Sequence, residues 1–551
     1  AVSLLILSTT PAWGQQAATP GAVQRSLDRA VSPPVARETP PEAEKPAQPA
    51  REAVPAGGKR FLVKRFNFRG NQLFTSEQLR GLIADAEGQQ LTLAEIYAVA
   101  DRLTDHYRKE GFSLAVVTVP AQKVASGEVL LEVVEGRVGK TLFKGETRYA
   151  PGVLDGRVQG LEKGSVLHFD TLERELLLLN DLPGLVVRSV IEPGEEFGTS
   201  DVTLNVAEKR YEARVGVDNF GRESVGEWRV NASGAINNPT GAGDQVTAGV
   251  THTESGLLTS YSVGYNRPLG NRGGRLSLVA SHSEYDVGDP LEPGQLGGES
   301  DTYSLSYSYP FIRSRKQNLL FDIGIRHMDP EQDGTACSFI DEGMTLIDAG
   351  MSFQQIHPGN ALTTAGLRVA TNFNEIEEVT VTDCTGTSGT AMSGDQALRL
   401  EVTASHEQPI APGWSVFGRF LGVYSPDELN DLQKFSLGGP ASVRAYLVTE
   451  VSGDTGADAS LELRRFFVAS RNFPGVARVF VDGGWAKCRD DTPCYQGNKD
   501  ETSRTGWGVG LTLFPYNRYT VEAQWAQNLG NHESADGDEE SRFWVNLTMD
   551  L

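Results

Sequence analysis

Two kinds of hydrophobic periodicity divide the chain near residue 210. From Tyr211 to Leu551 apolar and polar residues alternate with period two, the pattern of strands that bury one face. Tyr303, Leu305, Tyr307 and Tyr309 interleave with Ser304, Ser306 and Ser308; Tyr519, Val521, Ala523 and Trp525 interleave with Thr520, Glu522 and Gln524. The last strand reads Phe543, Val545, Leu547, Met549 and Leu551 against Trp544, Asn546, Thr548 and Asp550. Between Phe61 and Arg210 helical spacing enters, and the pattern occurs twice. Thr92-x-x-Glu95 is a capping box opening a helix whose Leu93, Ile96, Val99, Ala100, Leu103 and Tyr107 share one face. Gly111 ends it, and strands follow at 113–119 and 128–135. In the second copy Asp170-x-x-Glu173 is expected to cap a helix from Leu172 to Leu179, followed by strands at 185–191 and 200–206. Gly70, after Phe66-Asn67-Phe68-Arg69, is echoed 75 residues later by Gly145, after Leu142-Phe143-Lys144. Each copy therefore reads strand, helix, helix, strand, strand, at 59–137 and 138–210.

A soluble sandwich alternates like a membrane barrel, so the connections decide between them. Seven are short and carry proline, at 237–241, 267–270, 310–313, 357–360, 409–413, 473–475 and 514–517. The others vary widely, and several are long, as at 286–300, 375–395 and 426–456. Short turns on one rim and long loops on the other are the asymmetry of an outer-membrane barrel. Seven short turns imply eight hairpins and a 16-stranded antiparallel barrel over 211–551. That leaves about 21 residues per strand and connection, enough for the ~9–11-residue tilted strands a bilayer needs.

Composition fits this reading. With 50 Lys+Arg against 72 Asp+Glu the 551-residue chain carries a net charge of −22, the wrong sign for a nucleic-acid partner. Only 39% of residues are hydrophobic and no apolar run nears the ~18 residues of a helical span, which excludes a helical membrane protein and leaves the barrel. Residues 1–16 read as the remnant of a signal peptide, which implies an oxidising compartment. Residues 17–31 hold a short helix with Val23, Leu27 and Ala30 on one side, a possible plug on the Pro-rich linker at 32–58. Cys337, Cys384, Cys488 and Cys494 all fall in connections of the long-loop rim, where disulfides are expected, and no Cys-x-x-Cys marks a metal or redox site. No His-Glu-x-x-His, Gly-x-Ser-x-Gly or Walker loop is present, so neither an enzyme, a metal nor a cofactor is expected.

Two segments stand out. The sixth long loop, 426–456, contains Phe435-Ser436-Leu437-Gly438-Gly439-Pro440-Ala441-Ser442-Val443-Arg444-Ala445-Tyr446, too apolar for a loop washed by water unless it folds back into the lumen. Further on, Val479, Val481 and Trp485 face lipid, so Phe480, Asp482 and Gly484 face inward, and an inward Asp in a narrow barrel wants a cation.

Val443-Arg444-Ala445-Tyr446 resembles the Val-Arg-Gly-Tyr loop tip of the two-partner secretion transporters, the ShlB/FhaC/HecB family, with Ala445 in place of the usual Gly. Phe480-x-Asp482-x-Gly484 is similar to that family's motif on the barrel wall, and the strand–helix–helix–strand–strand repeats resemble POTRA domains. The resemblance implies a 16-stranded outer-membrane β-barrel preceded by two periplasmic α+β POTRA domains, in a Gram-negative bacterium. It implies pairing of Arg444 with Asp482 inside the pore and export of an unfolded exoprotein captured by the POTRA pair. The partners implied are that secreted cargo, outer-membrane lipid, and the periplasmic chaperones and barrel-assembly machinery of the transporter's own insertion. A barrel-assembly factor of the same superfamily is the alternative reading.

Overall fold

The computed structural model describes Val23, Leu27 and residues 58–551 except 125, 289–295, 335–337, 342, 374–378, 383–387, 392–395, 490–499 and 531–539. Two compact units emerge, one of residues 38–209 with 313–315, the other of the remainder. The expected signal remnant, most of the linker, Ala30, Cys337, Cys384 and Cys494 lie outside the described residues.

In the first unit the repeat read from sequence is a repeat of architecture. The first module contains β1 (Phe61–Val63), β2 (Arg65–Arg69), α1 (Ser76–Gly81), β3 (Gln89–Leu91), α2 (Leu93–Lys109), β4 (Val116–Thr118) and β5 (Glu128–Val134). The second contains β6 (Arg137–Lys144), α3 (Pro151–Asp155), α4 (Phe169–Asn180), β7 (Leu185–Pro193) and β8 (Thr199–Glu208). The sheets are ordered β2-β5-β4 and β6-β8-β7, the first strand parallel to the middle one and the other antiparallel. Gly70 and Gly145 hold the same post in each: both have positive φ, +89° and +126°, and a Cβ on either would strike a carbonyl oxygen of the middle strand or its end, Val133 or Val206. Only glycine turns the chain so close to that backbone. A carboxylate secures each turn, Glu135 accepting from the N–H groups of Gln72 and Leu73 at 2.6 and 2.7 Å, and Glu208 from the N–H of Arg148 at 2.7 Å.

Helix α2 starts as its capping box dictates. Thr92 Oγ1 accepts from the Glu95 N–H at 3.3 Å and the Glu95 carboxylate accepts from the Thr92 N–H at 2.6 Å. Its Ile96, Val99, Ala100, Leu103 and Tyr107 are buried with Phe66, Val117, Val129 and Leu131. At roughly 1.5–3 kcal/mol per large apolar side chain, this burial outweighs helix propensity. The next strand is shorter than expected, because Phe112 to Ala115 form a turn closed by the Ala115 N–H on the Phe112 carbonyl at 3.0 Å. The cap of α4 is also different from the expected Asp170. Helix α4 begins at Phe169, and His168 is its N-cap, Nδ1 accepting from the Asp170 N–H at 3.2 Å. The other ring nitrogen meets the Glu110 carbonyl at 3.0 Å, and the ring packs edge-on against Phe112. His168 thus caps one module's helix while bonded to the end of the other's.

The second unit is a closed antiparallel barrel of 16 strands. They are β9 (Tyr211–Asp218), β10 (Arg229–Asn237), β11 (Gln245–Thr253), β12 (Leu258–Leu269), β13 (Gly274–Asp286), β14 (Leu296–Arg313), β15 (Gln317–Gly334) and β16 (Met344–Ile356). There follow β17 (Leu362–Asn372), β18 (Leu398–Ala411), β19 (Trp414–Tyr424), β20 (Thr455–Ser470), β21 (Phe473–Lys487), β22 (Glu501–Leu513), β23 (Tyr519–Asn528) and β24 (Ser541–Asp550). Strand β24 pairs back to β9, with Asp550 opposite Arg214. Seven short turns join strands at one rim and the long loops lie at the other. Pro239, Pro358, Pro412 and Pro515 stand in those turns, where a fixed φ and a missing N–H cost nothing, whereas Pro268, Pro310 and Pro474, expected in turns, lie within β12, β14 and β21, close to the strand ends. Outward positions carry exposed apolar side chains such as Val479, Val481, Leu461 and Phe543, while their sequence neighbours point to the lumen. No helix among the described residues is long and apolar enough to cross a membrane.

Candidate functional site

The sixth loop, between β19 and β20, is folded back into the barrel. Phe435–Leu437 and Val451–Gly453 pair as a short antiparallel hairpin, and the tip between them packs on the wall. Phe435, Leu437, Val443, Ala445, Tyr446 and Val451 form one buried cluster with the wall residues Val423, Phe480, Ala486 and Ala526. Glycines on the wall make this contact possible. A Cβ on Gly484 would lie 2.5 Å from Leu437 Cδ2, one on Gly506 2.5 Å from Ala445 Cβ, and one on Gly508 2.5 Å from Phe480 Cζ. Alternation brings Gly506 and Gly508 of β22 to the lumen face, so the Gly506-Trp507-Gly508-Val509-Gly510 run is a smooth inner surface backed by Trp507 and Val509. Ala445, the departure from the family's usual glycine, fits here because its methyl group rests over Gly506.

Arg444 occupies the centre of the contact and is 3% exposed. Its Nε donates to Asp482 Oδ2 at 2.8 Å and its Nη2 to Asp482 Oδ1 at 2.7 Å, a bidentate pair. Nη2 also donates to Ser460 Oγ at 2.7 Å. Nη1 meets Glu462 Oε1 at 2.8 Å and Gln524 Oε1 at 3.1 Å. The guanidinium lies over the Phe480 ring, 3.3 Å from its centroid. The backbone is held as well: the Arg444 N–H donates to Asp482 at 3.1 Å, and its carbonyl accepts from Trp544 Nε1 at 2.7 Å.

Asp482 and Phe480 are each 1% exposed. The structure thus brings Arg444, Phe480 and Asp482 together, puts Val443, Ala445 and Tyr446 in the apolar contact around them, and sets Gly484 under Leu437.

Three partners were absent from the sequence reading. Glu462, buried on β20, is a second carboxylate on Arg444, and its other oxygen accepts from Arg464 Nε at 2.8 Å. Alternation places it at the lumen position between Leu461 and Leu463, which face outward, but not its pairing with a loop cation. Arg419 Nη2 donates to the Ser442 carbonyl at 2.7 Å, and Arg222 Nη1 to the carbonyls of Val448 and Thr449 at 2.9 and 3.0 Å. Neither carried a motif, since a carbonyl acceptor leaves no trace in sequence.

Across the lumen from these contacts the loop leaves space. A cavity of 730 Å³ lies between Leu432 to Phe435 and the wall of β14–β19, lined by Asp322, Arg326, Asp348, Arg368, Arg399 and Glu401. Arg368 bridges Asp322 and Asp348, and Arg399 pairs with Glu401 at 2.8 Å. Elsewhere in the barrel unit, Val23 and Leu27 are helical, and Val23 is buried with Val225, Leu258, Tyr285 and Val287. Cys488, at the outer end of β21, is disulfide-bonded.

A membrane barrel whose lumen is occupied by its own sixth loop, preceded by two α+β repeats, defines the class of outer-membrane transporters and assembly factors built with POTRA modules. Residues 198–513 match the family described as haemolysin secretion/activation protein ShlB/FhaC/HecB, and residues 61–136 match the ShlB-type POTRA domain. The chain belongs to this family. It is 22% identical over 495 residues to the heme/hemopexin transporter protein HuxB of Haemophilus influenzae, covering 87% of this chain and 85% of the relative. Its fold is similar to that of the solved CdiB from Escherichia coli, with a TM-score of 0.72 and 21% identity over 93% of this chain and 94% of that one. It is also similar, with a TM-score of 0.54 and 15% identity over 89% of this chain, to BamA from Haemophilus ducreyi lacking POTRA domains 1–3, which that alignment covers in full. Family membership selects two-partner secretion over barrel assembly and places the protein in the outer membrane, its POTRA modules in the periplasm.

Proposed function

We propose that Arg444 and Asp482 set the transport state of this two-partner secretion transporter. The observation that carries the proposal is the buried bidentate pair, which ties the sixth loop to the barrel wall. An unfolded exoprotein is received by the POTRA modules, whose free sheet edges accept an added strand, and then threads the lumen once the loop shifts. Folding of the cargo outside supplies the direction. The segment carrying Val23 and Leu27 is a second closure, Val23 and Leu27 packing with Val225, Leu258, Tyr285 and Val287. Periplasmic chaperones and the barrel-assembly machinery serve the transporter's own insertion.

Export of a co-expressed exoprotein, with and without this chain, tests the reading directly. Secretion that does not depend on the chain would overturn it. For the helix, removal of residues 1–58 is expected to raise conductance in planar bilayers, and unchanged conductance would remove the plug.

A further inference from the structure

The groups that hold Arg444 belong to the wall, not to the loop. Asp482 supplies two oxygens, and Glu462, Gln524 and Ser460 one each, so all five N–H donors of the guanidinium find an acceptor, with the Phe480 ring beneath. Other wall residues orient them. Glu462 is held through its second oxygen by Arg464, the Gln524 amide donates to Glu522 Oε1 at 3.1 Å, and the Phe480 ring is seated against Gly508. The pocket is therefore preassembled on β20, β21 and β23, and it is shaped for a flat fork of donors. A lysine ammonium, a compact charge with three donors, would leave acceptors unmet.

Departure of the loop affects the two carboxylates unequally. Glu462 keeps Arg464, but Asp482, 1% exposed, loses its bidentate cation. Withdrawal of Arg444 also uncovers Asp482, whose burial depends on the docked loop, and gives up a bidentate charge-assisted pair that another cation of the same shape would remake.

We propose that this pocket is a guanidinium receptor with two alternative occupants: Arg444 when the pore is closed, and an arginine side chain of the unfolded exoprotein during export. The exchange couples entry of cargo to release of the loop without an energy source, because the incoming side chain remakes each buried hydrogen bond that Arg444 gives up. This rests on the export reading and adds to it a chemical preference of the wall.

The test uses the full-length protein in planar bilayers. In Arg444→Ala, methylguanidinium is expected to enter the vacated pocket and shift the variant's gating with a half-maximal effect in the millimolar range, the scale of tethered effective concentrations. Methylammonium should need at least about tenfold more, and adding Asp482→Asn should erase the difference. Equal action of the two cations would overturn the proposal. A second arm does not depend on that variant inserting correctly: an unstructured arginine-containing peptide should raise the opening frequency of the wild-type channel severalfold over its lysine counterpart. Indistinguishable peptides would also overturn it. If an exoprotein is exported while the channel ignores arginine, the receptor fails and the transport reading stands; if no export depends on this chain, the transport reading itself fails.

Discussion

The two sides of the lumen carry the same kinds of charge under opposite conditions. Against β20–β23 the loop's Arg444 and the wall's Asp482 and Glu462 are sealed together, each at most 3% exposed. On β15–β18 Asp322, Asp348, Arg368, Arg399 and Glu401 line an open cavity of 730 Å³. Pairs of similar length therefore differ in worth. Breaking a fully buried pair by removing one partner strands a charge, whereas a partly exposed pair facing the cavity, its side chains 15–39% exposed, contributes less. One side is sealed by the docked loop; the other faces an open cavity with acids and bases interspersed.

The largest expected effect tests the sealed side. Asp482→Ala should weaken loop docking by roughly 3–5 kcal/mol, seen as rapid protease cleavage between Gly438 and Val448 in a barrel that still inserts, together with loss of export. Resistance equal to wild type would mean the pair does not hold the loop.

A buried acid that makes no ion pair among the described residues sharpens the same contrast in the POTRA unit. Glu175 of α4 accepts the Gly160 N–H at 2.6 Å, its second oxygen is buried without a hydrogen bond, and burial pushes its pKa up to about 7. At low pH folded and unfolded states both hold the proton. As pH rises past the ordinary glutamate range the unfolded chain ionises first, so stability falls until about pH 7 and is flat above, by roughly 3 kcal/mol at most. Hydrogen exchange of the Phe169–Asn180 helix in the full chain, corrected for intrinsic rates, should report this, and Glu175→Gln should remove the pH dependence.

Gly506→Val asks whether space or charge docks the loop. Overpacking against Ala445 should cost about 1–3 kcal/mol and expose the loop to protease even with Arg444 and Asp482 intact; unchanged resistance would leave the charges as the only fastening. The smallest effect belongs to the cavity side. Asp348→Asn should change stability by less than about 1 kcal/mol while altering ion selectivity, and a large loss of stability would abolish the distinction drawn between the two walls.

Much of the architecture was legible because it is written locally. The Thr92 capping box, the alternation on β14 and β24 and the proline turns each act within a few residues. His168 was not legible as a cap, because one of its bonds is to Glu110 of the preceding module, and the Asp170-x-x-Glu173 pattern offered a more ordinary cap two residues on. At the site, alternation predicted that Phe480 and Asp482 face inward, and a short motif singled out Arg444. Glu462 went unread because nothing local separates a lumen acid bound to a loop cation from one that faces water.

By itself the chain's sequence determined the period of each segment, hence the two α+β repeats, the number of strands and which side chains face the lumen. These follow from 2.0- and 3.6-residue geometries that every backbone shares. Only the tertiary structure decided which lumen charges are buried. That depends on where a long loop comes to rest, and the loop rests on β20–β23 because glycines there let Leu437, Ala445 and Phe480 pack without a void.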